Sequence, residues 1–401
     1  MLAALAARFP PFLLPLIFIN LTGHMALSGG RLTGSLFVLK SGLAESLVGL
    51  FMASFSVIPA ITALSVGRWV DRAGAGRVMR VGIALVLLGS WLPVVCLSLP
   101  TVLVMAVTIG CGFNMLSIAA QHTVGHLVRD AASSQRLANF SWFALGHSAS
   151  STLGPFLAGV LIDTLGFRAA FLALALVTCV AATLIITRTV GLPRAKPRVD
   201  SASANGQATR TPGVLDLLAG AELRRIYWVN TMTSSAWDLF IVVLPILGYR
   251  LGYSASVIGT VFSLFALGTF AARAATPWLS RQVNEWQILR VATSVNVLVF
   301  FLLPWASAAW ALMLLGLVFG SAVGMSQPNM LSLLHSAAPS GRGGEAVGLR
   351  SVLSNSCSVL VPLGFGVALV PVGISALLLM GGALFASAIV VAHHGAKARH
   401  R

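Results

Sequence analysis

Twelve apolar runs, most of them about twenty residues long, each closed by a charged or turn-forming break, leave this chain few ways to fold. They cover residues 11–39, 46–67, 79–99, 101–122, 139–162, 168–187, 226–249, 256–276, 287–306, 309–335, 346–369 and 372–392. A bilayer core offers no water to an open backbone, so runs of this length read as membrane-spanning helices. The composition agrees: 57% of residues are hydrophobic and 9% charged, far from a soluble domain. The expected class is an all-α membrane protein with twelve transmembrane helices.

The same frame excludes several functions. A net charge of +16 could suit nucleic acid, but in a polytopic membrane protein basic excess marks the cytoplasmic loops, so no nucleic-acid partner is expected. Cys96, Cys111, Cys179 and Cys357 all fall within apolar runs, with neither disulfide nor metal spacing. The N-terminal residues lead into an apolar run too long for a signal peptide and are read as the start of a retained helix. There is no phosphate-cradling loop, no His-Glu-x-x-His and no nucleophile elbow. The chain is therefore not expected to be an enzyme or to use a cofactor or metal.

Orientation follows from the basic residues. Of 26 Lys and Arg, Arg31, Lys40, Arg168 and Arg250 sit within or beyond the outer ends of spans; the other 22 fall at the termini, in alternate loops or in the central linker. This places both termini in the cytoplasm. The linker, residues 188–225, is rich in Pro, Ser, Ala and Arg without hydrophobic periodicity. It divides a six-helix bundle at 1–187 from a second at 226–401, the latter with a short cytoplasmic tail.

The two halves repeat. An ungapped offset of 210 residues lays Asn20 on Asn230, Lys40 on Arg250, Gly42 on Gly252, Ser46 on Ser256, Gly49 on Gly259, Phe55 on Phe265, Arg80 on Arg290 and Gly110 on Gly320. Pro155 meets Pro362 after a three-residue deletion. Two pseudo-symmetric bundles are the pattern of secondary transporters, whose site lies between the halves near the bilayer midplane.

Between the second and third spans runs Gly67-x-x-x-Asp71-Arg72-x-Gly74-x-x-Arg77. This resembles the loop signature of the major facilitator superfamily, although Ala75 and Gly76 replace its usual basic pair. The resemblance covers essentially the whole chain. It implies that Asp71, with Arg72 and Arg77, helps close the cytoplasmic side, while Gly67 lets helices approach. Ser150-x-x-x-Gly154-Pro155-x-x-Ala158-Gly159 resembles part of the kink motif of drug-exporting members. Their usual Arg in the fourth span is absent, with Ala106 in its place before Gly110. Phrases such as Ser235-Ala236-Trp237-Asp238 and Ser326-Gln327-Pro328-Asn329 resemble a bacterial subgroup of unassigned substrate.

Among the ten acidic residues, only Asp238 falls at mid-membrane depth. A carboxylate there costs about 2.5–3.5 kcal/mol to insert, which marks it for function. Arg31 is its expected partner: it lies eleven residues past Asn20, as Asp238 lies eight past the equivalent Asn230. The three-residue difference is about 4.5 Å of depth. The pair is expected to form the outer gate or a static tie between halves, with proton uptake by Asp238 coupling transport. Gln121, Asn230, Gln327 and Asn329 are expected substrate contacts, because an amide can both donate and accept. Trp237 is expected to cover an apolar part of the cargo, and His24 to be a hydrogen-bonded interior residue.

The expected function is alternating-access transport of a small organic solute, as proton-coupled efflux, by a monomer in the bacterial inner membrane. Proton-linked or facilitated uptake of a polar metabolite and a non-transporting sensor or scaffold are the alternatives. Small molecule, protons and lipid bilayer are the expected partners.

Overall fold

The computed structural model describes residues 13–127, 133–187, 214–279, 283–339 and 343–399. They form twelve α-helices: α1 Leu13–Lys40, α2 Ser46–Ala73, α3 Ala75–Val95, α4 Leu99–Leu127, α5 Ser133–Leu165, α6 Phe167–Ile186, α7 Ala221–Arg250, α8 Ala255–Leu279, α9 Glu285–Leu302, α10 Ala309–Ala337, α11 Gly343–Val372 and α12 Ile374–Arg399. Eleven of them are long and apolar enough to cross a membrane. The twelfth, α5, has its first thirteen side chains outside the described residues. Most of the expected linker, 188–213, also lies outside them; after it Val214–Ala219 forms a 3-10 turn and α7 begins at Ala221.

The repeat is built into helix starts and turns. At the 210-residue offset, α3 and α9 begin at Ala75 and Glu285, and α4 and α10 at Leu99 and Ala309. After the three-residue deletion, α6 and α12 begin at Phe167 and Ile374. Gly42 and Gly252 end α1 and α7 with φ of 72° and 73°, a left-handed conformation that only glycine adopts at little cost. Where the first half turns on Gly74 before α3, the second uses Asn284, whose side chain and that of Gln287 form a capping box on α9.

By contacts the molecule forms two compact units that divide within the linker, with residues 242–266 grouped with the first. The first comprises α1–α6 together with residues 242–266, the Arg250 end of α7 and the first half of α8. The second comprises the rest of α7 and α8 together with α9–α12. Lipid gives helices little hydrophobic reason to associate, so close van der Waals contact has to hold them. Within the first unit a Cβ at Gly82 would lie 2.9 Å from the Gly112 carbonyl, so α3 and α4 meet backbone to backbone. Within the second, Gly324 stands against the Thr269 backbone, and Phe319 packs between Phe240 and Phe300 at centroid distances of 4.8 and 5.6 Å. Trp305 and Trp310, beside the α9–α10 junction, are exposed as membrane-interface anchors are.

Candidate functional site

In the second unit α7 and α11 face each other through polar residues spaced four apart, the spacing that keeps them on one helix stripe. Asn230, Ser234 and Asp238 on α7 meet Arg350, Ser354 and Ser358 on α11. Asn230 Nδ2 donates to Ser354 Oγ at 3.0 Å, while its Oδ1 accepts from Arg350 Nη1 at 3.3 Å. The Ser234 and Ser354 hydroxyls are 3.1 Å apart. Two turns along, the Ser358 hydroxyl lies 3.1 and 3.0 Å from the two carboxylate oxygens of Asp238, which is buried at 8% exposure. Seventeen residues separate Asp238 from the start of α7, about 26 Å of rise, well within the hydrocarbon. A carboxylate, a guanidinium, an amide and three hydroxyls thus share one helix pair.

A second cation joins an expected contact residue in this unit. Arg273 on α8 donates to Gln327 Oε1 on α10 at 2.7 Å. Sequence counting assigned Arg273 and Arg350 to the cytoplasmic side as topological charges; both guanidinium groups engage side chains of neighbouring helices, inside candidate spans. A charge near a predicted helix end looks topological until the side chain's direction is known.

The first unit has the corresponding helix pair, α1 and α5. By the repeat offsets His24 matches Ser234, Ser28 matches Asp238 and His147 matches Ser354. The His24 and His147 rings lie with centroids 3.9 Å apart, tilted 44° to one another, and His24 Nδ1 is 2.8 Å from Ser150 Oγ. Ser28 donates to the Ser150 carbonyl at 3.2 Å. The histidine is therefore hydrogen-bonded, as expected, but paired with a second imidazole that the sequence did not link to it. Arg31, two turns beyond His24, holds its guanidinium carbon 5.3 Å from the centre of the Phe55 ring, a cation–π contact.

At the Arg250 end, the first unit is latched. Arg250 grips Glu45 with Nη2 to Oε2 at 2.6 Å and Nε to both oxygens at 2.9 and 3.0 Å. Asp163, at the end of α5, accepts the free backbone amides of Ala255 and Ser256 at 3.0 and 2.7 Å and so caps α8 with negative charge. Burial would raise this carboxyl's pKa, but the bonds from Ser256 and the Ala255 amide outweigh it and hold it below the usual value. Beneath this cap α5 and α8 touch through glycines. A Cβ at Gly159 would strike the Ala255 carbonyl, and one at Gly259 the Pro155 carbonyl. Gly154, one turn earlier, stands against Met25 and Gly29 of α1. The kink motif Gly154, Pro155 and Gly159 therefore works as a contact surface for two helices. Of the latch residues, Arg250 was marked in the sequence only as a basic residue at an outer span end, and Glu45 and Asp163 counted only among the carboxylates away from mid-membrane depth; the match of Lys40 with Arg250 was the available signal.

The other expected residues are placed as follows. Gln121 is exposed and donates to Ser117 on its own helix at 2.9 Å, and Asn329 is buried and donates to the Met325 carbonyl of α10 at 2.8 Å. Trp237 is half-buried beside Asp238. At the cytoplasmic-gate motif, Gly74 makes the α2–α3 turn with φ of 85°, Arg72 and Arg77 are exposed, and the Asp71 side chain lies outside the described residues. Gly67 departs from expectation: a Cβ there would meet nothing within 4 Å among the described residues, so no close helix approach depends on it.

Comparison with known proteins supplies the family. The profile described as Major Facilitator Superfamily matches residues 1–362. No curated protein matches the chain. Among solved structures it resembles peptide transporter POT in a mutant form, with a TM-score of 0.78, 17% identity and coverage of 96% of this chain and 93% of that one. It also resembles the nucleoside transporter NupG in a mutant form, at TM-score 0.75, 12% identity and coverage of 97% and 100%. The human organic anion transporter MFSD10 aligns at TM-score 0.67 and 19% identity, covering 96% and 100%. At such identities these likenesses establish the fold alone. Together with the profile match over nine-tenths of the sequence, they make this chain a member of the major facilitator superfamily, an all-helical secondary transporter rather than an enzyme.

Proposed function

We propose that this transporter moves a small organic solute by alternating access, exporting it from a bacterial cell in exchange for protons, with Asp238 as the coupling carboxylate. The observation that carries this reading is Asp238 itself, buried in a membrane helix with a hydroxyl on both of its oxygens. Burial favours its neutral form, whereas hydration or a nearby cation favours the charged one, so a motion that changes its surroundings changes its proton occupancy. Arg31 is the second coupling residue, held against Phe55 in its own unit. The two six-helix halves, 1–187 and 226–401, are the moving bodies, with both termini cytoplasmic and the protein acting as a monomer.

The Glu45 end is the extracellular one in this orientation, and its latch closes that side. Glu45–Arg250, the Asp163 cap and the glycine contact join residues 242–266 to the first six helices. That latch, rather than Arg31 with Asp238 alone, carries the outer gate. Asn230, Gln327 and Trp237 are kept as substrate contacts; Gln121 and Asn329 would first have to leave their own helices.

The test is proton flux in everted membrane vesicles, with a panel of amphipathic drugs, dyes and metabolites, comparing the parent with Asp238→Asn at matched expression. A compound that collapses the pH gradient through the parent alone supports the reading. Equal responses would remove Asp238 from coupling, and uptake of labelled solute through a protein silent in this assay would reverse the direction.

A further inference from the structure

Arg350 has donors to spare where donors are costly. It lies seven residues past the start of α11, about 10 Å along a helix of about 45 Å, and therefore near the hydrocarbon boundary. Arginine stays charged there and carries five N–H donors in one plane. Among the described residues it makes one hydrogen bond, a 3.3 Å contact to the neutral amide of Asn230. Its Nε is fully buried and without a partner, and among the described residues no carboxylate is ion-paired with it. Asp238 is bonded to Ser358, eight residues further along α11 and thus about 12 Å of rise away. A buried, unmade donor is costly, more so when charged, unless something else supplies the acceptor.

We infer that Arg350 binds the carboxylate of an organic anion, with Asn230 fixing the guanidinium plane and the Ser234–Ser354 pair completing the site. The unmatched edge, Nε with the second terminal nitrogen, is the side from which a carboxylate takes two parallel hydrogen bonds. Asn230 holds the opposite side, so the fork is oriented before a ligand arrives. The Ser234 and Ser354 hydroxyls, one turn away, can share a carboxylate oxygen or an adjacent polar group. This inference rests on the transport reading and narrows its substrate to a monoanionic compound.

The experiment is thermal stabilisation and equilibrium binding on the full chain, purified in a neutral detergent, with benzoate, hexanoate and N-acetylphenylalanine against their carboxamides. Parent protein is expected to bind at least one carboxylate and to prefer it to its amide by about 10- to 100-fold, the worth of a charge-assisted bidentate contact. Arg350→Gln should erase that preference, and Arg350→Lys, which keeps the charge but not the fork, should retain part of it. The lysine variant carries the test if the glutamine variant does not fold. Equal affinity for acid and amide, a preference unchanged in both variants, or stabilisation only by added anionic lipid would overturn the inference. Carboxylate binding without solute-driven proton flux would keep this site and sink the coupling proposed for Asp238; Arg350-independent flux of neutral solutes would do the reverse.

Discussion

Adding one methyl group at Gly159 should open the Glu45 end. A Cβ built there lies against the Ala255 carbonyl oxygen, 2.9 Å from the carbonyl carbon and 3.0 Å from Ser256 Cα, all backbone atoms that cannot rotate away. Ordinary contact begins at 3.4 Å, so α5 and α8 must part by at least 0.5 Å. The Asp163 bonds to Ala255 and Ser256 cap the same residues, so parting the helices lengthens them too. Overpacking of this kind costs roughly 1–3 kcal/mol, or about 5- to 150-fold in the ratio of closed to open end. A reporter cysteine at Val48, a fully buried position near the latch, reads that ratio as its rate of modification by a charged maleimide in a background without native cysteines. Gly159→Ala should raise the rate within that range. Gly364→Ala, where a Cβ meets nothing within 4 Å, should leave it unchanged. If Gly159→Ala reacts at the parental rate while folding and transporting normally, the glycine contact does not hold the gate.

The Glu45–Arg250 pair should contribute less than its geometry suggests: the side chains are 27% and 42% exposed, and exposed pairs are worth about 0–1 kcal/mol. Glu45→Gln should speed reporter labelling by no more than about fivefold, an effect lost in high salt and restored by exchanging the two charges. For Asp163 the depressed pKa sets the sign: the charged cap strengthens closure above the ordinary value of 3.8 and is lost as pH falls through the lower folded value. Labelling relative to a free-thiol control at each pH, needed because only the thiolate reacts, should therefore stay flat from neutral pH down to about 5 and rise only below 3.8, whereas Asp163→Asn should label fast throughout. Ser358→Ala removes the hydroxyl that bonds both oxygens of the buried Asp238 carboxylate. It should reduce solute-driven proton flux in the vesicle assay, because the carboxylate then lacks the hydroxyl that positions it.

What the sequence made legible, and what it did not, follows from the range of the forces. Twelve helices could be read because each apolar run has to satisfy its own backbone. The repeat could be read because a turn needing φ near 72° demands glycine at 42 and again at 252. Asp238 stood out because a carboxylate at that depth is exceptional. Arg350 and Arg273 were missed because an arginine close to a helix end reads the same whether it reaches toward headgroups or toward an amide on the next helix. The His24–His147 contact was missed because no periodicity connects residues 123 positions apart. Gly159 and Gly259 looked like kink and repeat markers; that each faces a carbonyl of the other's helix is a property of the crossing, set by every residue on both helices.

Repetition also shows where function has diverged. The two halves place polar residues at matching registers on α1/α5 and α7/α11, and contacts at matching positions recur: His24 with His147 corresponds to Ser234 with Ser354. What fills those registers differs. Asp238 stands where the first half has Ser28, and Arg350 where it has Phe143, while both imidazoles occupy positions that carry serine in the second half. Helix packing alone does not require this asymmetry, because serine and phenylalanine serve the same registers in the other bundle. An ion in a membrane helix costs several times what a serine does, and the second half carries both a carboxylate and a guanidinium on one helix pair. Their separation by about 12 Å sets the proton site proposed at Asp238 apart from the anion site proposed at Arg350.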